Sequence, residues 1–137
     1  MKSKILLTIV FLGIIGAFIG YKIYNKPHTD MTSAESQTSI NATDLMADFN
    51  KDEAIANEKH LDKVITVSGK IGEIKKEGEQ TIVMLETADP LSSVICNLDP
   101  FSAHEDHLFT IGDEVRFKGI CSGYLADVVI DRCVLIK

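Results

Sequence analysis

The chain has 137 residues, which suits one domain, and its 45% hydrophobic and 25% charged residues are ordinary for a folded protein. That composition excludes a wholly disordered chain and a polytopic transporter. The first 26 positions hold 4 of the 14 basic residues and none of the 20 acidic ones, so residues 27–137 carry 10 basic and 20 acidic groups, a net charge of −10. A body so acidic is poorly suited to bind a phosphate backbone.

The first predicted element is a membrane anchor over residues 1–25, with residues 5–24 crossing the bilayer. This stretch is almost free of charge, and as a helix it is about 30 Å long, the thickness of the hydrocarbon core. A cleaved signal peptide is the main alternative, although Phe18 spoils the small-x-small pair that ends at Gly20. A buried core helix is a further alternative. The slight excess of positive charge before the helix predicts a cytoplasmic N-terminus and a body outside the membrane.

The next predicted element is a polar tether over residues 26–42. The segment is rich in Ser, Thr and other polar residues and has few large apolar ones. Such a sequence buries too little surface to offset the entropy lost on ordering. We therefore expect a flexible link between the anchor and a folded domain at residues 43–137.

The folded domain is predicted to begin with a helix over residues 43–60. Leu45, Phe49 and Ala56 form an apolar stripe at helical spacing, and Asn41 or Thr43 can cap the helix.

From residue 64 the apolar period changes to two, which predicts strands. The first strand, residues 64–74, is interrupted by Gly69 and Gly72, as in a strand that bends around a small barrel. Four more strands are predicted at residues 81–87, 93–98, 114–121 and 127–136, with a short helix between the third and fourth strands.

This order of elements predicts a mainly β fold. Five strands with a helix between the third and fourth form the OB-fold, a partly open Greek-key barrel. The expected protein is therefore an OB-fold barrel with an N-terminal helix, preceded by one transmembrane helix. A β-grasp or another mixed sheet is the alternative.

Three segments carry a family resemblance: DEAIANEKHLDKVITVSGKI, VICNL and IGDEVRFKGICSGYLADVVIDRC. Together they resemble the bacterial tRNA-anti-like group of OB-fold proteins, and residues 118–133 are the most distinctive part. Members of that group are typically small and often carry a signal or membrane anchor. The resemblance implies nucleic-acid binding by analogy of fold alone. Together with the predicted anchor, it implies a single-pass protein of the bacterial inner membrane with an extracytoplasmic C-terminal domain.

The cysteines Cys96, Cys121 and Cys133 are an odd number in a domain that we expect in an oxidising compartment. The register of the last hairpin separates Cys121 from Cys133 by about 16 Å, beyond the reach of a disulfide. In an OB barrel the third strand lies beside the fifth, so Cys96 and Cys133 are the disulfide candidate. Three buried, reduced cysteines are the alternative.

Motifs for catalysis and metal binding are weak in this sequence. His104 and His107 have a spacing that could present both rings on one helix face, but no cysteine or third histidine lies near them in sequence. No serine lies in a strained elbow motif, and no glycine-rich phosphate loop follows a strand. We therefore expect no metal, no cofactor and no enzymatic activity.

The remaining function class is binding. OB barrels that bind oligonucleotides use basic and aromatic residues, usually on the second and third strands, and here those strands have neither. The candidate contact residues are instead Lys70, Arg116 and Lys118, which form a small basic group, and Tyr124 at the tip of the last hairpin.

We therefore expect a non-catalytic binding module that contacts a protein or a small polar ligand through the face of the second and third barrel strands. A single-stranded nucleic-acid binder is one alternative, and the missing aromatic residues and the acidic body disfavour it. A structural or assembly protein of the cell envelope is another alternative.

Overall fold

The computed structural model describes residues 2–24, 31–101 and 108–136. The first helix, α1, covers Lys2–Tyr24. Its segment Leu7–Tyr24 is long and apolar enough to cross a membrane, and none of that segment is buried within the protein. A buried core helix is therefore excluded, and the exposed apolar surface suits a membrane anchor or a signal sequence.

The helix predicted at the start of the domain is two helices, α2 at Ala42–Lys51 and α3 at Glu53–His60. Asn41 caps α2, because its side chain accepts a hydrogen bond from the backbone N–H of Asp44 at 2.7 Å. Asp52 has extended backbone and caps α3, so the chain turns there instead of continuing as one helix. The predicted apolar stripe is confirmed, since its three members are buried: Leu45, Phe49 and Ala56.

Among the described residues, five of the six strands form a closed barrel. The strands are β1 at Thr38–Asn41, β2 at Val64–Glu77, β3 at Gln80–Glu86, β4 at Ser93–Leu98, β5 at Glu114–Tyr124 and β6 at Val128–Leu135. Their order is β1-β2-β3-β4-β6-β5, and an additional β2–β5 pairing closes the barrel. Within the barrel the β4–β6 pair is parallel and the other pairs are antiparallel. This confirms the predicted OB-fold barrel and excludes an open mixed sheet.

Two predictions fall on residues 102–107, which lie outside the described residues. They are most of the short helix between β4 and β5 and the pair His104 and His107. The flanking residues 99–101 and 108–113 form turns and loop, so the predicted helix does not extend to Phe109.

The barrel interior is filled by aliphatic side chains, three cysteines and one phenylalanine. Its fully buried members include Ile65, Val67, Ile71, Val83, Leu85, Val94, Cys96, Phe117, Cys121, Ile130 and Cys133. The buried face of α2 packs onto the same cluster.

Residues 31–41 pack against the barrel and do not form a free tether. We call this segment the arm. Its strand β1 pairs in parallel with β2, and the N–H of Gln37 donates to the carbonyl of Val64 at 2.9 Å. Met31 is only 1% exposed. The expectation of a flexible tether is therefore corrected for residues 31–41, because backbone pairing stabilises a segment whose side chains are mostly polar.

The arm covers the outer side of β2, β5 and β6. Thr66, Lys118 and Val134 lie next to one another across these strands, and all three are buried. The Nζ of Lys118 donates to the carbonyl oxygens of Thr32 at 2.9 Å and Ala34 at 2.7 Å. Because a buried ammonium group requires acceptors, the arm and Lys118 stabilise each other.

A polar contact joins α2 to α3. The Oδ2 of Asp48 accepts a hydrogen bond from Lys59 Nζ at 2.7 Å and lies 2.9 Å from the Nε2 of His60. The hydrogen bond from Lys59, followed by that of His60, holds the pKa of Asp48 below its usual value of 3.8. Asp48 is therefore ionised in the folded protein well below neutral pH.

We expect Asp48→Asn to lower the free energy of unfolding by about 1 kcal/mol at pH 7, as is typical of a part-exposed ion pair. Because folding depresses this pKa, the contribution is fully present above the unfolded-state value of 3.8 and is lost as pH falls through the folded-state value. Urea denaturation of the wild type and of Asp48→Asn at several pH values measures the difference in their free energies of unfolding. This difference should narrow below pH 3.8. A difference that stays constant in acid would contradict this account.

Candidate binding surface

The outer side of β3, β4 and the start of β6 carries a row of aliphatic side chains. Met84 lies opposite Ile95, and Ile95 lies opposite Val129. Ile82 lies two residues before Met84 on the same side of β3. All four side chains are part-exposed, whereas the inward-facing residues between them are buried. We call this surface, formed by Ile82, Met84, Ile95 and Val129, the front face.

A fixed polar network borders the front face on one side. Asn97, which lies opposite Ile82, donates from Nδ2 to the Oδ1 of Asp131 at 2.6 Å. The hydroxyl of Ser122 donates to the Oδ2 of Asp131 at 2.5 Å. Both carboxylate oxygens of Asp131 are thus occupied, so this side chain is held as part of the scaffold.

A cavity of about 540 Å³ opens at the opposite end of the front face. It lies between β2, β3, the β3–β4 loop (residues 87–92) and Asp127. Residues on its wall include Glu73, Met84, Glu86, Leu91, Ser92 and Asp127. The N–H and hydroxyl of Ser93 donate to the Oδ1 of Asp127 at 2.6 and 2.9 Å, which joins the start of β4 to the start of β6.

The β3–β4 loop is held by its own hydrogen bonds. The two carboxylate oxygens of Asp89 accept from the N–H of Leu91 at 2.9 Å and the hydroxyl of Ser92 at 3.2 Å. The hydroxyl of Thr87 donates to the carbonyl of Ser92 at 2.7 Å. The cavity wall is therefore preformed, while the Leu91 side chain is 90% exposed at its mouth.

Charge around the cavity is predominantly negative. Its lining contains four carboxylates, Glu73, Glu86, Asp89 and Asp127. Two lysines lie nearby, with Lys75 Nζ 3.4 Å from Glu73 and Lys70 Nζ 3.7 Å from Glu86. The strands β3 and β4 contain no basic and no aromatic residue. Across residues 2–24, 31–101 and 108–136, no group of three or more His, Cys, Asp or Glu side chains is placed to hold a metal ion.

The predicted basic contact residues do not form one site. Lys70 and Arg116 are exposed, and Arg116 lies opposite Ser68 on the neighbouring strand, close to Lys70. Lys118 is buried under the arm and bound to its carbonyl groups, so the expectation that it contacts a ligand beside Arg116 is corrected. Because this ammonium group is buried and already bound by two acceptors, it is not accessible to a ligand.

Tyr124 does not lie at the tip of the last hairpin, as predicted, but at the end of β5, where it is part-exposed. Its ring stacks on that of Phe49 with centroids 5.2 Å apart, and its hydroxyl donates to the Oδ1 of Asn50 at 2.8 Å. The exposed residue in the turn of this hairpin is Leu125. Tyr124 therefore joins the last hairpin to α2, because both its ring and its hydroxyl have partners there.

All three cysteines are buried free thiols. Cys133 lies opposite Leu98, two residues along β4 from Cys96, and its thiol donates to the carbonyl of Ile130 at 3.4 Å. Burial raises the pKa of Cys133, and the neighbouring Cys96 raises it further. Burial raises the pKa of Cys121 to about 11, so this thiol is a poor nucleophile. The predicted Cys96–Cys133 disulfide is not formed in this structure.

Sequence reasoning identified the strands of the front face but missed its aliphatic character. A signal was available: β3 and β4 contain the unbroken apolar runs 82–85 and 94–96. In a strand with one wet face, polar residues alternate with apolar ones, so an unbroken run indicates apolar residues on both faces.

Comparisons with known proteins give the following relationships. The tRNA_anti-like family model matches residues 1–135. A "putative nucleic acid-binding lipoprotein" from Klebsiella pneumoniae aligns with a TM-score of 0.57 and 18% identity, over 81% of this chain and 99% of that one. Two OBodies bound to hen egg-white lysozyme align with TM-scores of 0.41 and 0.42, at 16% and 20% identity, over 58% of this chain and 86% and 83% of theirs. No curated protein sequence matches.

Proposed function

Because the chain belongs to the tRNA_anti-like family, as its sequence resemblance indicated, we propose that it is a membrane-anchored, extracytoplasmic OB-fold module that binds a protein partner. The module is non-catalytic, and its binding surface is the front face with the adjoining cavity. The observation that carries this proposal is the row of part-exposed aliphatic side chains on an otherwise acidic domain.

The front face suits a protein better than a small polar ligand. Its centre consists of the aliphatic side chains Met84, Ile95 and Val129, which offer a polar molecule no hydrogen bonds. When another apolar surface covers an apolar surface that was in contact with water, the free energy of the system falls. The arm occupies the β2–β5 side of the barrel and leaves β3 and β4 accessible.

The proposed location rests on α1 and on the charges that flank it. The apolar helix near the N-terminus fits an anchor, and the similar Klebsiella protein is named a lipoprotein. A protease added to intact spheroplasts should digest the domain of an anchored, extracytoplasmic protein. Protection until the membrane is lysed would place the domain in the cytoplasm, and a soluble, N-terminally shortened protein would indicate a cleaved signal.

Nucleic-acid binding is the second candidate function, because the similar Klebsiella protein is named as nucleic acid-binding. In this chain the exposed neighbours Lys70 and Arg116 are the residues that would contact phosphates. The carboxylates around the cavity and the acidic body oppose such binding through repulsion.

Two measurements on the full chain in phosphatidylcholine nanodiscs or in cells separate these functions. We expect no change in fluorescence anisotropy with short labelled single-stranded DNA or RNA, even at low salt. Micromolar binding that weakens as salt rises and disappears in a Lys70→Ala, Arg116→Ala double variant would favour nucleic acid instead. A photo-crosslinking amino acid in place of Met84 should give crosslinked protein bands in cells, while one in place of the exposed Glu58 should not. Equal bands or no bands from both positions would contradict the proposed function.

A further inference from the structure

We infer that the front face binds an extended protein segment that places one large apolar side chain in the cavity and Lys or Arg residues beside it. This inference rests on the proposed function and specifies the chemistry of the partner. Three properties of the site carry it: the apolar floor, the preformed wall and the ring of carboxylates.

The apolar floor indicates the side chain that enters. Met84 lines the cavity and also belongs to the front face, so the cavity and the aliphatic row form one continuous surface. The volume of about 540 Å³ lies within the range of pockets that hold ligands and has room for a large aliphatic or aromatic side chain. Leu91 stands exposed at the mouth, where it can cover an inserted side chain.

The preformed wall reduces the free energy needed to bind. The loop that forms it is already ordered by the hydrogen bonds of Thr87, Asp89 and Ser92. Asp127 fixes the adjacent strand ends in the same way. The ordering of loops is a common free-energy cost of binding, and a partner of this site does not have to order this loop.

The carboxylates indicate the charge of the partner. Four of them line the cavity, and the two nearest lysines lie 3.4 and 3.7 Å from their carboxylate partners, so negative charge is left over. Glu73 and Glu86 have exposed side chains that a guanidinium or ammonium group can approach. The net charge of −10 over residues 27–137 steers basic segments toward the domain and repels acidic segments and a second copy of this chain.

The pairing of the strands defines how the segment lies. β3 pairs with β2 and β4, and β4 pairs with β3 and β6, so neither strand offers a free edge on the front face. A partner therefore cannot extend the sheet there as an added strand. It lies across the outer side of β3 and β4 and is recognised by its side chains.

Selection of random nonapeptides displayed on phage tests this inference, with the full chain in phosphatidylcholine nanodiscs as the target. We expect the selected peptides to share a Leu, Ile, Met or aromatic residue next to Lys or Arg and to be poor in Asp and Glu. Synthetic versions are then measured by fluorescence anisotropy. A Glu73→Lys, Glu86→Lys double variant should bind them at least tenfold more weakly, while a Glu53→Lys, Glu58→Lys double variant on α3 should bind within twofold of wild type.

A second pair of variants tests the apolar anchor without changing charge. Met84→Ser should weaken binding about tenfold, whereas Ile111→Ser, at an exposed position away from the front face, should leave it unchanged. Selected peptides whose binding depends on Met84 but which lack Lys and Arg would overturn the inference and leave the proposed function standing. Basic, apolar peptides that bind all front-face variants equally would overturn both. Failure to select any peptide would overturn the inference, and the crosslinking at Met84 would then decide the proposed function separately.

Discussion

Met31→Ala is expected to lower the free energy of unfolding by about 3 kcal/mol, a loss typical of a methionine in a protein core. Met31 is 1% exposed although it belongs to a stretch of sequence that is otherwise polar. Truncating its side chain removes buried apolar surface and loosens the arm that Lys118 holds through two carbonyl groups. Urea denaturation of the full chain in detergent micelles, followed by circular dichroism of the barrel, measures the loss.

Met84→Ala is the matched control for this variant. It removes the same atoms from a part-exposed methionine on the front face, and we expect a loss below about 1 kcal/mol. Limited proteolysis gives a second readout, because only Met31→Ala should speed cleavage within residues 31–41. Equal, small losses in both variants would mean that the arm is not docked in solution.

Gly119→Ala is expected to lower the free energy of unfolding by about 3 kcal/mol or more. A Cβ at Gly119 would lie 2.7 Å from the carbonyl oxygen of Asp131, 2.8 Å from the Cγ2 of Ile130 and 3.0 Å from the Sγ of Cys133. The carbonyl belongs to β6, so relief requires β5 and β6 to separate. Because these strands also carry the arm, their separation disturbs the barrel and the arm together.

Gly72→Ala is the control for crowding at a glycine. The new Cβ would lie 2.8 Å from the Cγ of Glu86. Because the Glu86 side chain is exposed, it can rotate away. We expect a loss below about 1 kcal/mol. Thermal unfolding monitored by circular dichroism compares the two variants, and similar losses would show that the rigidity of β6 does not matter at Gly119.

Much of the barrel could be predicted from the sequence because its strands and first helical stripe are encoded by short-range periodicity. The apolar period of two and the bend near Gly69 and Gly72 indicated the strands, and the order of the elements indicated the OB-fold. The break at Asp52 was less visible, since the apolar spacing continues across it. An aspartate that caps one helix while ending another does not disturb that spacing.

The arm and the site residues could not be predicted because they depend on contacts between residues far apart in the chain. Lys118 lies 84 residues after Ala34, and no local pattern distinguishes it from the exposed Arg116 two positions earlier. The pairing of β1 with β2 uses backbone groups, which every sequence has. The contact made by Tyr124 could not be predicted for the same reason, since its partner Asn50 lies 74 residues away.

The docking of the arm also limits the distance between the domain and α1. Six residues, 25–30, separate the end of α1 from Met31, and a covalent chain of that length spans at most about 25 Å. With α1 in the bilayer, as proposed, the start of the docked arm lies within that distance of the lipid, and the acidic surface of the domain is repelled by anionic headgroups. Partners embedded in the same membrane meet it at a high effective concentration, so modest affinity suffices for them, whereas a freely diffusing protein gains no such advantage.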